Sequence, residues 1–416
     1  MIEQTSNLDG HGDASGTGKA PTKQPTERQG WDDQSLPPQR LTVGQLLLAT
    51  LIALAVTAIW RKVLPLSKPV GDAVQYLKMA KDPSQAVLTP YAYRIFLPRL
   101  THLIGGVPRM TFDRISLACL VATGPLVYAL TRRLGAVHWA ALLAMVGLLS
   151  TRAWTYYLYN PWLTDPAAML LVAAGFLALV SGGAWLLAPI GVVFAGVREL
   201  FIGLVAPAFG WLRVRFGVVR AALAAGLLML PGLVVYQWIV STAPSRGTQG
   251  YGQISWQTVV AVGRYVSVRG GIGFFAVAAF TLSLGCWWLL AVASFRDPKI
   301  WRLLLWLVPV FGQFLLGGDW GRFALYAFPV VIPAAALTLQ RLRPLWRGII
   351  VALLGLQLLT PLLDMTAERM TLNRPGPAVR VTVVLMALTA AALIAAYLLE
   401  RRGRSEPEPS PSRSST

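Results

Sequence analysis

Six ionisable residues, Asp72, Asp165, the adjacent Arg198 and Glu199, Asp319 and Arg322, stand at the edges of long apolar runs. Charge beside hydrocarbon is expensive, and it is kept where it has something to hold or to do. A seventh, Arg94, sits in PYAYRIFLPRL between aromatic residues and two prolines, Pro90 and Pro98, which fix the local backbone and hence the direction of the guanidinium. A planar, permanently charged fork of that kind suits a phosphate or a carboxylate. Together these residues suggest one shared site for an anionic group at one face of a membrane.

The segments around them have readable local geometry. In GDAVQYLKMA, Asp72, Tyr76 and Ala80 recur at helical spacing, so carboxylate and phenol share one face of a short amphipathic helix that would lie along a membrane surface. A structural alternative is that Asp72 caps the helix and Arg94 snorkels to lipid headgroups. In YNPWLTDPAAMLL, Thr164 or Asp165 is placed to cap a helix with Pro166 at its first position. In GVRELFIGLVAP, Arg198 and Glu199 point to different sides of a regular helix and cannot hide by pairing with each other, so a break, a partner or water is required. In GGDWGRF, Asp319 and Arg322 are three apart, close enough for a salt bridge that shapes the turn.

Composition says what must carry these segments. Hydrophobic residues make up 55% of the 416-residue chain and charged residues 13%, against about 25% charged in soluble domains, and the mean hydropathy is +0.56. The chain reads as an all-α, polytopic transmembrane helical bundle of about twelve spans. A net charge of +19 would suggest nucleic acid in a soluble protein. Here Lys and Arg cluster in short connections between apolar runs, where they set orientation and meet lipid, so nucleic acid is not an expected partner. Cys119 and Cys286 both lie inside apolar segments, which points away from a disulfide framework or a cysteine metal site.

Residues 1–42 and 401–416 read as disordered cytoplasmic tails flanking a transmembrane domain at 43–400. The stretch 184–212 is one long helix or two short ones meeting at Arg198 and Glu199. Two helices put Arg132-Arg133, Arg213-Arg215-Arg220, Arg296-Lys299-Arg302, Arg341-Arg343-Arg347 and the C-terminal arginines all on the cytoplasmic side; one helix inverts the last three clusters. The positive-inside rule favours the split. The outer face then carries a first loop at 61–114 with amphipathic surface helices, and loops at 152–165, 241–270, 317–322 and 364–379. Elaborated structure on that face places the work outside the cytoplasm.

Taken together, these motifs resemble the glycosyltransferase-C superfamily of polytopic membrane transferases, and within it small bacterial members with the PYAYRIFLP pattern. GDAVQYLKMA is similar to the family's first outer loop with Asp72 at the acidic position. TDPAAMLL is similar to the segment where an aspartate opens the fourth span, and FAGVRELFIGLVAP to the junction of two short spans, with Arg198 at the basic position. The likeness covers roughly 45–340. It implies a cell-envelope enzyme of the bacterial inner membrane that moves a hexosyl or pentosyl group from a polyprenyl-phosphate carrier to a glycan, lipid or protein acceptor outside the cytoplasm. It further implies Asp72 as the general base, Arg94, Arg198 and Arg322 as holders of the donor phosphate, and Tyr76, Asp165, Glu199 and Asp319 in acceptor-binding or orienting roles, Glu199 by orienting Arg198. Many members carry a paired acidic motif where this loop has the single Asp72, so no cofactor is implied with certainty. His11, His102 and His138 are too dispersed for a histidine metal cluster, while a divalent cation held between carboxylate and phosphate oxygens stays open.

The competing class is a transporter or flippase for a lipid-linked or anionic substrate, which would use the intramembrane charge and the prolines at 189, 207, 231, 309, 329 and 333. Against it, the halves show no internal repeat, and the ionisable residues sit at the outer edge instead of the midplane that alternating access needs. A structural or assembly subunit is a third class.

Overall fold

The computed structural model describes residues 41–88, 91–246, 260, 271–316, 320–364 and 377–405. Asp319 and the loop cores at 247–259, 261–270 and 365–376 lie outside the described residues, as do the tails up to 40 and from 406. The described chain is helical almost throughout, and helix covers at least part of every apolar run. Its one strand pairing is short and parallel, Val87–Leu88 beside Ser245–Arg246.

The first helix, α1 (Val43–Val63), is opened by Thr42, whose hydroxyl accepts from the Gln45 amide at 3.2 Å while the Gln45 side chain accepts from the Thr42 amide at 3.3 Å. That reciprocal cap satisfies two donors a helix start otherwise strands. Two short helices follow, α2 (Asp72–Lys81) and α3 (Phe96–Ile104), and then the long α4 (Pro108–Arg133). Next come α5 (His138–Leu149), α6 (Arg152–Tyr159) and α7 (Asp165–Val180). The 184–212 stretch is split: α8 (Leu187–Ala195) ends, the backbone extends at Arg198, and a 3-10 segment (Glu199–Leu204) leads into α9 (Val205–Phe216). The rest is α10 (Val218–Thr242), α11 (Gly271–Leu284), α12 (Cys286–Ala293), α13 (Pro298–Leu303), α14 (Leu307–Leu316), α15 (Trp320–Leu325), α16 (Phe328–Arg341), α17 (Pro344–Leu358), α18 (Thr360–Asp364) and α19 (Pro377–Ser405).

This is an all-α membrane protein. Among the described residues, five helical stretches are long and apolar enough to cross a membrane: Val43–Val63, Pro108–Arg133, Val218–Thr242, Pro344–Leu363 and Ala378–Leu399. The faces of α10 show how such a helix sits. Val219, Leu223, Leu227, Leu230, Val234 and Trp238 form an exposed apolar stripe, while Ala221, Ala225, Met229, Gly232 and Ile239 are buried. In water that stripe would be a liability; in lipid it is the solvated face, and the small residues opposite let neighbouring helices approach closely. By contrast α16 is buried continuously from Phe328 to Leu339 and forms the centre of the bundle. Packing there is tight: a Cβ on Gly147 of α5 would fall 1.9 Å from the Trp287 ring of α12.

One break is built with care. α11 and α12 are separated by Gly285 at φ +57, and Gln357 from α17 closes the gap, accepting from the Cys286 amide at 2.7 Å and donating to the Leu284 carbonyl at 3.2 Å. Those backbone groups would otherwise be stranded in a buried helix interruption.

The segment between α1 and α4 is tied to the bundle at separate points. The Ser67 amide donates to Tyr159 at 2.9 Å, Val87 and Leu88 pair with Ser245 and Arg246, and the Phe96 amide donates to the Gly196 carbonyl at 2.9 Å. The last contact sets this segment against the break that precedes Arg198.

Candidate active site

Asp72 opens α2, and Gly71 before it takes φ 56, a backbone that favours glycine. The Asp72 carboxylate makes no cap hydrogen bond; it accepts from Arg322 of α15 at 3.1 Å. Capping is therefore not its structural role. Likewise Thr164 precedes α7 without a side-chain cap bond, and Asp165, at the first position before Pro166, is turned inward. Asp165 is fully buried, and both its oxygens are occupied. One accepts from Arg198 and, at 2.9 Å, from the Tyr326 hydroxyl; the other accepts from Arg322 at 2.6 Å.

The broken helix at 196–198 explains how Arg198 and Glu199 can be adjacent and both satisfied. Arg198, in extended backbone, turns to Asp165, and its guanidinium carbon lies 5.1 Å from the Tyr326 ring centroid and 5.5 Å from that of Phe323. Glu199 turns to Arg94 instead. Arg94 Nε donates to both Glu199 oxygens at 3.2 Å, a terminal nitrogen lies 3.1 Å from the same carboxylate, and the other donates to the Tyr76 hydroxyl at 2.9 Å. The expectation that Glu199 orients Arg198 is thus corrected: the helix break sends the two side chains to different partners, and Glu199 fixes Arg94.

Segments distant in sequence so converge on one cluster, which holds the described residues given a site role from the sequence: Asp72, Tyr76, Arg94, Asp165, Arg198, Glu199 and Arg322. Asp319 lies outside the described residues. Arg322 bridges Asp72 and Asp165, an arrangement the three-residue spacing to Asp319 did not suggest. The guanidiniums of Arg94, Arg198 and Arg322 are each matched by carboxylates. Side-chain exposure grades the carboxylates, from 0% at Asp165 through 18% at Glu199 to 23% at Asp72. Asp72 is the most open of the three.

Three tyrosines complete the cluster, and the sequence reading passed over them. Tyr91 packs edge-on against Tyr76 with ring centroids 5.8 Å apart, and burial first, then the nearby Asp72 carboxylate, holds its phenol well above the ordinary range. Burial likewise pushes the Tyr76 phenol up, although Arg94 opposes the shift. Tyr326 donates to Asp165, and Tyr157 lies fully buried within electrostatic reach of Asp165 and Arg322. Tyr91 stood in the same PYAYR run as Arg94, and Tyr326 one helical turn beyond Arg322, so adjacency to a chosen arginine was the signal available.

Among the described residues no group of three His, Cys, Asp or Glu could hold a metal ion. His102 faces the Ala80 carbonyl at 3.3 Å and His138 the Tyr128 hydroxyl at 2.7 Å. Each described carboxylate of the cluster, Asp72, Asp165 and Glu199, is engaged by a guanidinium.

No family model matches the sequence, and no curated protein matches it. Among solved structures, the single-particle cryo-EM structure of the arabinosyltransferase EmbB from Mycobacterium smegmatis is similar over 88% of this chain and 39% of its own, at 16% identity and a TM-score of 0.48. The crystal structure of ArnT from Cupriavidus metallidurans bound to undecaprenyl phosphate is similar over 87% of this chain and 73% of its own, also at 16% identity and a TM-score of 0.48. The chain thus spans well under half the length of the first of these two proteins.

Proposed function

We propose that this chain is a membrane glycosyltransferase that moves a sugar from a polyprenyl-phosphate carrier to an extracytoplasmic acceptor, with Asp72 as the general base. The observation that carries this reading is the Asp72–Arg322 pair: the most open carboxylate of the cluster is held by a guanidinium beside two more, within an apolar helical protein. A lipid-linked phosphate requires that combination, cations at headgroup depth next to an apolar surface for the chain.

In the proposed step the acceptor hydroxyl gives its proton to Asp72. Its oxygen bonds to the anomeric carbon as the bond from that carbon to the carrier phosphate breaks, and the phosphate leaves with the electron pair. Arg94 and Arg322 face the charge that develops on the leaving phosphate, and Arg198 supports them from behind Asp165. Asp165 is fully buried with both oxygens engaged, so its role in this reading is to position Arg198 and Arg322; Glu199 positions Arg94. Tyr76 helps to hold Arg94, and Tyr91 packs against Tyr76 beside Asp72. No step is routed through a metal. The topology that goes with this function has about twelve spans, counting the shorter apolar helices, with both termini cytoplasmic and the cluster facing outward.

The test is transfer of a radiolabelled sugar from undecaprenyl-phosphate donors by the protein in reconstituted vesicles, wild type beside Asp72→Asn. Transfer should fall by about 10²–10⁴ in the variant, the usual contribution of a general base, with binding of the carrier retained. A folded wild-type protein that consumes no donor, or a variant as active as wild type, defeats the proposal. A flippase would have little reason to depend on this one carboxylate.

A further inference from the structure

A second group of arginines lies away from the candidate active site. α16 starts just after Tyr326, which bonds Asp165, and its 14 residues rise about 21 Å before they end at Arg341. Two tight connections meet there, 134–137 between α4 and α5 and 342–343 between α16 and α17. The Gln340 side chain ties them, accepting from the Val137 amide at 2.7 Å and donating to the Gly135 carbonyl at 3.4 Å. Arg132, Arg133, Arg341, Arg343 and Arg347 flank this joint, and the sequence has no Asp or Glu from 114 to 164 or from 320 to 363. Two of the five are already spent. Arg132 is buried and donates to the Ala136 carbonyl at 2.8 Å, and Arg341 donates to Asp297 at 2.6 Å. The other Asp297 oxygen caps α13 through the Lys299 amide at 3.0 Å, so that carboxylate is spent as well.

The remaining three are open. Arg343 is exposed, Arg133 and Arg347 are half-buried, and none of them makes an ion pair among the described residues. Arg347 is also held in place: one terminal nitrogen donates to the Gln340 and Leu342 carbonyls at 3.0 and 2.8 Å, and the guanidinium carbon lies 5.2 Å from the Trp139 ring centroid. Those two bonds use both hydrogens of that nitrogen. The other terminal nitrogen has no hydrogen-bond partner among the described residues. Trp139, 38% exposed, brings the pair to the surface on the first turn of α5. From it the same face of α5 continues through the half-buried Leu142 and Val146, at i+3 and i+7.

We propose that Arg133, Arg343 and Arg347, with Trp139, seat the headgroup of an anionic phospholipid of the surrounding bilayer, whose acyl chain lies along the open face of α5. Unpaired guanidiniums at the end of an apolar helix face, with an indole at the border, match a phosphodiester that carries a hydrocarbon tail. A zwitterionic headgroup brings its own ammonium, which three unbalanced guanidiniums oppose. Free phosphate would use the arginines and leave the α5 face bare. The lipid bridges the start of α17 to the start of α5. The inference rests on the chain being a membrane protein and is independent of the reaction proposed at Asp72.

The test uses the full-length protein, delipidated in detergent and titrated with phosphatidylglycerol, phosphatidylcholine or inorganic phosphate. Bound lipid is counted by native mass spectrometry and thermal unfolding is followed in parallel. The variants are Arg343→Gln, Trp139→Leu and, as a control outside the joint, Arg220→Gln, which alters another exposed arginine. Wild type should retain phosphatidylglycerol over phosphatidylcholine and unfold at a higher temperature when it is added. Arg343→Gln and Trp139→Leu should each weaken phosphatidylglycerol binding about tenfold, one charged contact's worth, and lose most of the thermal shift. Arg343→Gln should unfold like wild type without lipid, since it alters an exposed side chain that pairs with nothing. Arg220→Gln should bind as wild type does. Three outcomes overturn the inference: equal retention of the two lipids, as large a loss from Arg220→Gln as from Arg343→Gln, which marks diffuse attraction, or an equal thermal shift from inorganic phosphate, which marks a site for a soluble anion.

Discussion

Arg322 donates to Asp72 at 3.1 Å across 250 residues of sequence, and with its other terminal nitrogen it donates to Asp165 at 2.6 Å. One guanidinium therefore holds a buried, fully engaged carboxylate and a more open one in fixed relation. The planar fork makes this possible, because a lysine presents a single point charge and cannot serve two acceptors in a set geometry. Arg322→Lys should release Asp72 while leaving Asp165 paired with Arg198. Transfer should fall by about tenfold to a hundredfold, in kcat more than in KM, as expected when an interaction that shapes the transition state is lost. Steady-state kinetics in vesicles over a range of donor concentration reads the split.

Asp165→Asn should act on the fold first. The substitution leaves Arg198 buried without its counterion, and breaking a buried pair by removing one member costs about 3–5 kcal/mol. Asp72→Asn, at a carboxylate with 23% side-chain exposure, should cost far less stability. Thermal unfolding of the two variants in one detergent orders them, and similar melting temperatures would contradict the assignment of Asp165 as the internal anchor.

Glu199→Gln keeps the size of the side chain and removes the charge that fixes Arg94. With the charge gone, Arg94 keeps the Tyr76 hydroxyl and a neutral amide oxygen as acceptors but loses its counterion. Affinity for undecaprenyl phosphate should change by several-fold while kcat at saturating donor changes little, and the binding isotherm should become more sensitive to salt as a better-exposed guanidinium is screened.

Chelation should leave transfer intact. Each described carboxylate of the cluster is engaged by arginine, and the proposed step uses no metal, so activity measured in EDTA should equal that measured with added magnesium. Loss of activity in EDTA, restored by a divalent ion, would remove the arginines from the role given to them.

Gly285→Ala should be among the most damaging single changes in the chain. Its φ of +57 disfavours any side chain, and a Cβ there would fall 2.0 Å from the Gln357 amide nitrogen. Gln357→Leu should give a milder form of the same defect by leaving the ends of α11 and α12 unpaired. Yield of folded protein by size-exclusion chromatography distinguishes the two from wild type.

Much of this was legible in the residues, for a physical reason. Charge next to hydrocarbon has few harmless explanations, so Asp72, Asp165, Arg198, Glu199 and Arg322 could be singled out before any geometry was known. Which carboxylate meets which guanidinium could not be read, because pairing is decided by how helices distant in sequence pack. Thus Glu199 was read as orienting its neighbour Arg198 when its partner in the fold is Arg94, and nothing in the spacing linked Arg322 to Asp72 or Asp165. The break at 196–198 was readable from the clash between two adjacent charges in one helix. Tyr91, Tyr157 and Tyr326 were not, since a tyrosine in an apolar run looks the same whether it fills space or completes a network.

Among the described residues three guanidiniums are matched by three carboxylates, which on the proposed function bears on turnover. A bare triad of arginines would seize a phosphate and release it slowly, so that the spent carrier would inhibit the next cycle. With the positive charge already balanced, an incoming anion competes with resident carboxylates for the same donors, and the net gain on binding stays small. On the proposed function such a cluster would favour exchange over tightness: it would engage a phosphate in passing, and the internal ion pairs would close again behind it as the carrier diffused back into the bilayer.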